Sequence, residues 1–248
     1  QKSDSILLSK IDDVIQKMHG GGSLDWTLSQ IMSLKPSSSG IVYWEFDRQI
    51  HVPGWNSMWK ALMGEAPTKN ITREDFIKQC KKSKLDFFAG VDFGWNCAAV
   101  VVLAIDGKEN VYVVDLMMVA KKSDPELASL IKTVLHPKYE LQMITPDVAN
   151  PGGIHELKKA DLPTTSEINK DVHMGINLIK GFLKVPGTTN DTRIYFAPDL
   201  ESRVPDEPGI IEEFELYHLE EDKTGRLLDD RDPVKERDHA QDALRYFM

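Results

Sequence analysis

The sequence predicts an α/β fold in which a mixed β-sheet is flanked by helices, and two observations support this prediction. Between residues 86 and 119, three apolar segments rich in β-branched residues follow one another with short turns between them, which is typical of an antiparallel meander. After residue 119, helical patterns alternate with short apolar strands, which is typical of helices packed on the faces of a sheet. The first 85 residues are mainly helical in pattern, so we predict an N-terminal connecting region at 1–85 and a sheet domain at 86–248.

The individual elements are predicted from apolar periodicity and turn residues. The predicted helices are 3–19, 25–34, 72–82 with Thr72 as N-cap, 124–135 with Ser123 or Asp124 as N-cap, most of 167–183, and a last helix from His239. The predicted strands are 41–46, 87–92, 97–105, 111–119, 141–145 and 193–196, with a possible hairpin of 214–219 and 226–228. The order of these elements is that of a ribonuclease H-like domain.

The composition restricts the class of protein. Of the 248 residues, 41% are hydrophobic, which supports a sizeable core. The net charge of −9 argues against a protein held on nucleic acid by a general positive field, but it is compatible with a nuclease whose metal site is acidic. Cys80 and Cys97 have neither disulfide-framework nor metal-ligand spacing, and the longest apolar stretch, 98–105, is too short to span a bilayer. We expect a piece of a longer protein, because the sequence begins with Gln1.

Two aspartates stand at the ends of predicted strands. Asp92 ends the strand FFAGVD, and Asp147 follows the strand LQMIT in the sequence TPDVANPGG. In open α/β sheets, functional sites gather at the carboxyl ends of the strands. Each aspartate also has a structural interpretation, because an aspartate before turn residues often stabilises the turn itself.

A third acidic position lies in the closing segment DHAQDALRYFM. With Asp238 at the N-cap of the last helix, Gln241 falls at the third helical position, which is a capping-box arrangement. Asp238 is therefore assigned to starting the helix and is only an auxiliary site candidate. Asp242 lies at the edge of the apolar stripe, one turn from His239, and has no such structural role.

These carboxylates suggest a metal site. Asp92, Asp147 and Asp242 could converge on one or two divalent cations, and oxygen ligands favour Mg²⁺ or Mn²⁺ over zinc. Two ions about 4 Å apart would orient a water molecule for attack on a phosphodiester. The sequence therefore predicts two ions and phosphodiester chemistry.

Further residues are weaker candidates. If the third strand alternates, Asp115 could face Asp92 as an auxiliary acid; the alternative is a solvent-facing strand residue. Lys158 and Lys159 could contact DNA phosphates; the alternative is that they belong to a solvated face. Lys170 is a further candidate for DNA binding.

Four segments together, GVDFG, TPDVANPG, NKDVHMGINLIKGFLKV and DPVKERDHAQDALRY, resemble a known family. This family is the C-terminal nuclease domain of the large terminase subunit, the DNA-packaging motor protein of tailed bacteriophages. The resemblance covers about residues 86–248 and keeps the family's motif order. It implies a ribonuclease H-like fold and metal-dependent cutting of concatemeric double-stranded viral DNA.

Residue by residue, the resemblance implies that Asp92, Asp147 and Asp242 bind metal and that His239 lies near the site. Glu212 resembles an acidic residue before the family's final hairpin. The implied partners are double-stranded DNA, a packaging ATPase domain, the small terminase subunit and the portal, and the implied location is the host-cell cytoplasm at the viral prohead. No phosphate-binding loop of the pattern G-x-x-x-x-G-K-[ST] occurs in this chain, so the packaging ATPase is expected to be absent from it.

Other functions remain open at this point. Junction resolvases, transposases and integrases share the three-acid logic and the fold. An actin-like ATPase is suggested by GVDFG alone, since that superfamily's first strand also carries Asp and Gly. A non-catalytic docking module would need only the surface of the domain.

Overall fold

The computed structural model describes residues 40–167, 171–185, 192–219 and 233–248. The chain divides into two compact units, one of Glu45–Phe214 with Glu236–Met248 and one of Gln1–Trp44 with Glu215–Lys235. The larger unit contains the sheet together with residues 45–85 of the predicted connecting region. The division into 1–85 and 86–248 stays a prediction, and the helices predicted at 3–19 and 25–34 lie outside the described residues.

The smaller unit contains a short pairing of backbone segments. The amide of Val42 donates to the carbonyl of Tyr217 at 2.9 Å, and the Tyr43 and Tyr217 rings stack at 5.9 Å between centroids. The strand predicted at 41–46 is wrong, because only Ile41 pairs, in an isolated bridge with His218, and the chain then turns.

The larger unit is built on a five-stranded mixed sheet with the strand order β4-β1-β2-β3-β5. The first three strands form the predicted antiparallel meander, while β4 runs parallel to β1 and β5 runs parallel to β3. This mixed sheet with helices around it confirms the predicted α/β fold class. The strands are β1 Asp86–Asp92, β2 Ala98–Ile105, β3 Val111–Val119, β4 Met143–Pro146 and β5 Ile194–Phe196.

Helices cover both faces of the sheet, and their bounds follow the capping residues. The helices are α1 Arg48–His51, α2 Trp55–Met63, α3 Arg73–Lys82, α4 Asp124–Leu130, α5 His136–Tyr139, α6 Pro151–Lys159, α7 Val172–Leu183, α8 Ile210–Leu216 and α9 His239–Phe247. A π-helical turn, Ile131–Leu135, joins α4 to α5. Thr72 caps α3 and Ser123 caps α4, each in a capping box, as predicted.

Two predictions about secondary structure fail for local reasons. The sequence predicts no helix directly after Asp147, but Pro151 begins α6, with the Asn150 side chain accepting from the amide of Gly153 at 2.9 Å. Proline is favourable in the first turn because its missing N–H costs nothing there. The first arm of the predicted hairpin at 214–219 is helical as far as Leu216, and its second arm lies outside the described residues.

The meander is buried because both of its faces are covered. Every residue of β2 except Ile105 is buried, as expected for a central strand between two helical layers. On one face, α9 packs against β1, where the Phe88 and Phe247 rings lie 5.1 Å apart. On the other face, the Tyr139 ring of α5 lies 5.4 Å from Phe87. Within the described residues, no helix is long and apolar enough to cross a membrane.

Candidate metal centre

Asp92 and Asp147 lie side by side at one edge of the sheet. The parallel strands β1 and β4 are paired with Val91 opposite Pro146, so both aspartates are one residue beyond a matched pair. The amide of Asp147 continues the ladder by donating to the carbonyl of Val91 at 2.9 Å. Since neighbouring strands are about 4.8 Å apart, the two carboxylates emerge close together.

Asp147 also has the structural role considered from the sequence. One of its carboxylate oxygens, Oδ1, accepts from the amide of Ala149 at 2.8 Å, which stabilises the turn after β4. This bond uses one oxygen of the two. The turn therefore fixes the orientation of the carboxylate and leaves Oδ2 for another partner.

Asp242 is brought to the same edge by a close contact between α9 and β1. Gly90 lies two residues before Asp92, so both face α9. A Cβ atom built on Gly90 would lie 1.8 Å from the carbonyl oxygen of Ala243, the residue that follows Asp242. Only glycine permits this approach, so Gly90 determines how near the helix carries Asp242 to the end of β1.

The electrostatics show that the three aspartates share one environment. Burial raises the pKa of Asp92, and the charges of Asp242 and Asp147 raise it further, while the hydrogen bond from His239 opposes this shift. The pKa of Tyr246 is raised by burial first and then by Asp242, Asp92 and Asp147. Because the charges of Asp242 and Asp147 disfavour the ionisation of Asp92, a cation placed among the three would stabilise the charged form of Asp92.

His239 contacts Asp92 directly. Its Nδ1 lies 2.9 Å from Asp92 Oδ2, although 147 residues separate the two in sequence. The hydrogen bond to Asp92 raises the pKa of His239, and partial burial opposes that shift. His239 therefore orients one oxygen of Asp92.

Asp242 is held by an ion pair within α9. The Nε of Arg245 donates to Oδ1 of Asp242 at 3.0 Å, and the Nη2 of Arg245 lies 2.9 Å from the same oxygen. Both side chains are buried. Neither the sequence pattern nor the capping argument predicted Arg245 as a site residue. The spacing of three residues on a helix was the available signal, because it places the two side chains on one face.

The prediction that Asp238 caps the last helix with its side chain is wrong. Asp238 occupies the N-cap position, but its side chain makes no capping hydrogen bond. Glu213, from α8, instead accepts from the amides of Ala240 at 3.0 Å and Gln241 at 2.7 Å. A carboxylate supplied from outside the helix thus takes the place of the capping box.

Glu213 is a residue that the sequence analysis missed, since it named the neighbouring Glu212. Glu213 is buried, whereas Glu212 is partly exposed and lies 3.9 Å from Arg48. Burial raises the pKa of Glu213 well above its ordinary value, against the two amide hydrogen bonds. Burial also raises the pKa of Asp238 to about 6, together with the charge of Asp242.

Asp115 is not brought to the site. Asp115 lies opposite Val102 on β2, and Val102 lies opposite Ala89 on β1. Asp115 is therefore two strands away from β1, at the level of Ala89 and not at the end of the strand where Asp92 lies. Its carboxylate is held by Arg73, by Lys138 at 3.0 Å and by the Tyr139 hydroxyl at 2.6 Å. Burial alone would raise the pKa of Asp115, but these partners lower it. Asp115 thus stabilises the packing of helices on the sheet.

The predicted DNA-binding lysines are also remote from the aspartates. Lys158 and Lys159 are exposed at the end of α6, and Lys159 pairs with Glu156 at 3.3 Å. The helix begins just beyond the Asp147 turn, so a rise of 1.5 Å per residue puts Lys158 roughly 10 Å further on. Lys170 lies outside the described residues.

An open groove of about 530 Å³ adjoins the strand ends. Its lining comes from the turn after Asp92 and from the start of α6, and it includes Trp95, which is 63% exposed, and Lys122. The Phe93 ring lies against α6 so closely that a Cβ atom on Gly153 would be 2.4 Å from it. The two loops that carry Asp92 and Asp147 are therefore packed together beside the groove.

The three aspartates are near one another but do not form a closed ligand set. Among the described residues, the group of three or more His, Cys, Asp or Glu side chains whose ligand atoms all lie within 4.8 Å of each other is Cys97, Glu207 and His239. Asp92 is engaged by His239, and Asp242 is engaged by Arg245.

Comparisons with known proteins give a resemblance of fold. No family model matches the chain, and no curated protein matches it. A solved large terminase nuclease domain from bacteriophage SPP1 with bound Mn is 23% identical with a TM-score of 0.47, covering 65% of this chain and 84% of that one. The large terminase nuclease from thermophilic phage G20c with bound magnesium is 14% identical with a TM-score of 0.48, covering 65% of this chain and 79% of that one. Similarities of this size carry no argument about function, which has to come from the site itself.

Proposed function

We propose that this chain is a divalent-metal-dependent endonuclease that hydrolyses phosphodiester bonds of double-stranded DNA. The observation that carries the proposal is the meeting of Asp92, Asp147 and Asp242 at one edge of the sheet, with α9 pressed onto Gly90. Three aspartates at the ends of two strands and on one helix have no shared structural task. Their mutual effect on the pKa of Asp92 supports a common cation site.

The residues fit Mg²⁺ or Mn²⁺. The donor set consists of oxygen atoms, which hard divalent cations prefer. Asp92, Asp147 and Asp242 would hold the ions, and we propose two of them. When bound, such ions polarise a phosphoryl oxygen and lower the pKa of a bound water molecule.

The protein's own side chains would position these ligands. His239 orients Asp92 through its Nδ1, and the Ala149 amide orients Asp147. Arg245 holds Asp242 through the ion pair within α9 and would yield part of this contact when Asp242 turns toward an ion. The groove lined by Trp95 and Lys122 offers the adjoining surface for a DNA strand, with the exposed Trp95 ring for stacking. The Lys122 ammonium pairs with Glu126 at 3.4 Å and would exchange this exposed partner for a phosphate.

We further propose that the DNA cut is concatemeric viral DNA during genome packaging in the host-cell cytoplasm, at the prohead. The support is the motif resemblance, together with the Asp92–His239 contact and the effect of the Asp242 and Asp147 charges on the pKa of Asp92. On this proposal the partners are a packaging ATPase domain, the small terminase subunit and the portal. An oxygen-only ligand set and an open groove beside it are consistent with that role.

The test is a plasmid-nicking assay with Mg²⁺ or Mn²⁺ on the variants Asp92→Asn, Asp147→Asn and Asp242→Asn. Each should lower cutting by at least about 100-fold, since misplacing reacting groups by 1 Å already costs that much. Asp86→Asn is the matched control, because Asp86 is exposed at the opposite end of the same strand. If all three variants still cut DNA, the proposal is wrong. If the protein cuts branched DNA in preference to linear DNA, the proposed function changes to that of a junction resolvase.

A further inference from the structure

A second group of metal-ligating side chains lies beside the aspartates. One donor atom each from Cys97, Glu207 and His239 lies within 4.8 Å of the other two. None of these residues is close to another in sequence. No spacing of metal ligands around Cys97 can therefore be recognised in the sequence, because only the fold brings this thiol to a histidine and a carboxylate.

The turn between β1 and β2 delivers the thiol. A Cβ atom on Gly94 would lie 2.1 Å from the carbonyl oxygen of Cys97, so the chain folds back on itself at this glycine. Asp92 and Ala99 are directly opposite each other on the two strands, and Cys97 is two residues before Ala99. Alternation along the strand therefore directs Cys97 to the face that carries Asp92.

The polar atoms of this group are poorly satisfied by the protein. Glu207 Oε2 is buried and has no hydrogen-bond partner among the described residues. The buried Cys97 sulfur makes one long contact, 4.0 Å to the carbonyl oxygen of Ala98. A buried carboxylate oxygen without a partner is costly, so its presence points to a ligand that it would bind.

His239 is oriented as a metal-binding histidine. Its Nδ1 is engaged by Asp92 at 2.9 Å, which leaves Nε2 as the nitrogen available to a cation. Histidines that bind metals usually donate their other ring N–H to a carboxylate, and this fixes both the tautomer and the orientation of the ring. The Asp92–His239 pair already has that form.

We propose that Cys97, Glu207 and His239 form a separate site for a Zn²⁺-class cation. A thiolate, an imidazole and a carboxylate suit zinc, whereas Mg²⁺ avoids sulfur. In a tetrahedral zinc site the donor atoms are roughly 3.3 to 3.6 Å apart, so the observed group needs to close by about 1 Å. Three protein ligands leave the fourth position to a water molecule.

This site would act on the aspartate site through a single hydrogen bond. An ion on His239 fixes the imidazole with its N–H toward Asp92, and so fixes the orientation of that carboxylate. The proposal does not depend on nuclease activity, because cation binding is measured directly.

The experiment is a titration of the 248-residue protein with Co²⁺, followed by absorption spectroscopy. A thiolate bound to Co²⁺ gives a charge-transfer band in the near ultraviolet, and we expect this band in the unaltered protein. Cys97→Ser should abolish it, and Glu207→Gln should weaken Co²⁺ binding at least 10-fold. Cys80→Ser is the matched control, because Cys80 is equally buried, in α3, and should leave the band unchanged.

Two further measurements separate this site from the aspartates. Asp147→Asn should keep the Co²⁺ band while losing any Mg²⁺-dependent cutting, and excess Mg²⁺ should not remove the band. Circular dichroism checks that Cys97→Ser is folded. If it is not folded, the weaker Co²⁺ binding expected of Glu207→Gln decides, because Glu207 is partly exposed and its substitution is better tolerated. Absence of the band in the unaltered protein, or its persistence in Cys97→Ser, overturns the proposal.

Discussion

The contact at Gly90 allows a quantitative prediction for Gly90→Ala. The new Cβ atom would lie 1.8 Å from the Ala243 carbonyl oxygen, 2.7 Å from its carbonyl carbon and 3.5 Å from the amide nitrogen of Leu244. These are backbone atoms, so no side-chain rotation can relieve the overlap. To restore an ordinary contact of 3.4 Å, α9 must recede from β1 by roughly 1.6 Å at this point.

The displacement acts on stability and on the site. Overpacking of this kind costs about 1 to 3 kcal/mol of the free energy of unfolding. Asp242 adjoins Ala243, so its carboxylate moves away from Asp92 by a similar distance. A misplacement of about 1 Å costs on the order of 100-fold in rate, so cutting should fall by at least that factor.

The assays are thermal unfolding and plasmid nicking with Mn²⁺, carried out well below the unfolding temperature of the variant. Gly107→Ala is the control, because a Cβ atom at Gly107 meets nothing within 4 Å. If Gly90→Ala is folded and cuts DNA at the rate of the unaltered protein, then the close approach of α9 does not position Asp242.

Three other variants test separate features. Asp115→Asn should lower the free energy of unfolding by about 1 to 3 kcal/mol at pH 7, because the partly buried Arg73 guanidinium loses one of its two carboxylate partners and keeps only Asp199. Since the folded-state pKa of Asp115 is lowered, this stabilisation is present above its ordinary pKa and is lost as the pH falls through the lowered value, so urea unfolding should show the difference shrinking in acid. Glu213→Gln should cost about 1 to 3 kcal/mol in thermal unfolding, because an amide side chain can accept from only one of the two N–H groups at the start of α9. Trp95→Ala should raise the KM for DNA by about 10-fold with little change in kcat, because stacking contributes about 1 to 3 kcal/mol of binding.

Each of these predictions has a contradicting result. A difference between Asp115→Asn and the unaltered protein that grows in acid would reverse the assigned pKa direction. Unchanged thermal stability in Glu213→Gln would mean that α9 starts without this carboxylate. For the groove, Trp44→Ala is the control, because Trp44 is 62% exposed but does not line the groove. If both tryptophan substitutions change the KM for DNA equally, the groove does not bind DNA through Trp95.

The sequence predicted features that depend on neighbouring residues. The meander was predictable because runs such as CAAVVVLAI combine β-branched residues with flanking turns. The positions of Asp92 and Asp147 follow from the rule that sites gather at strand ends. The helix α6 was missed, although Asn150 and Pro151 are favoured residues for the N-cap and the first helical position.

Features that depend on distant residues could not be predicted from the sequence. The glycine at position 90 looks like any other glycine in a strand until Ala243 is placed against it. Similarly, Glu213 and Glu212 are neighbours of identical type, and only their burial distinguishes them. The sequence has the capping-box pattern of Asp238 and Gln241, but in the structure the Glu213 carboxylate of α8 accepts from the amides at the start of α9.

The pairing of Asp92 with His239 has a consequence for the timing of synthesis. The two residues are 147 positions apart, and the helix that carries His239 and Asp242 packs on strands translated long before it. At a typical 5 to 20 residues per second, the ribosome needs roughly 7 to 30 s to travel from one to the other. During that interval the emerging chain has the meander but lacks both the third aspartate and the histidine. The complete set of side chains for the proposed site is therefore assembled only after the last helix has been made.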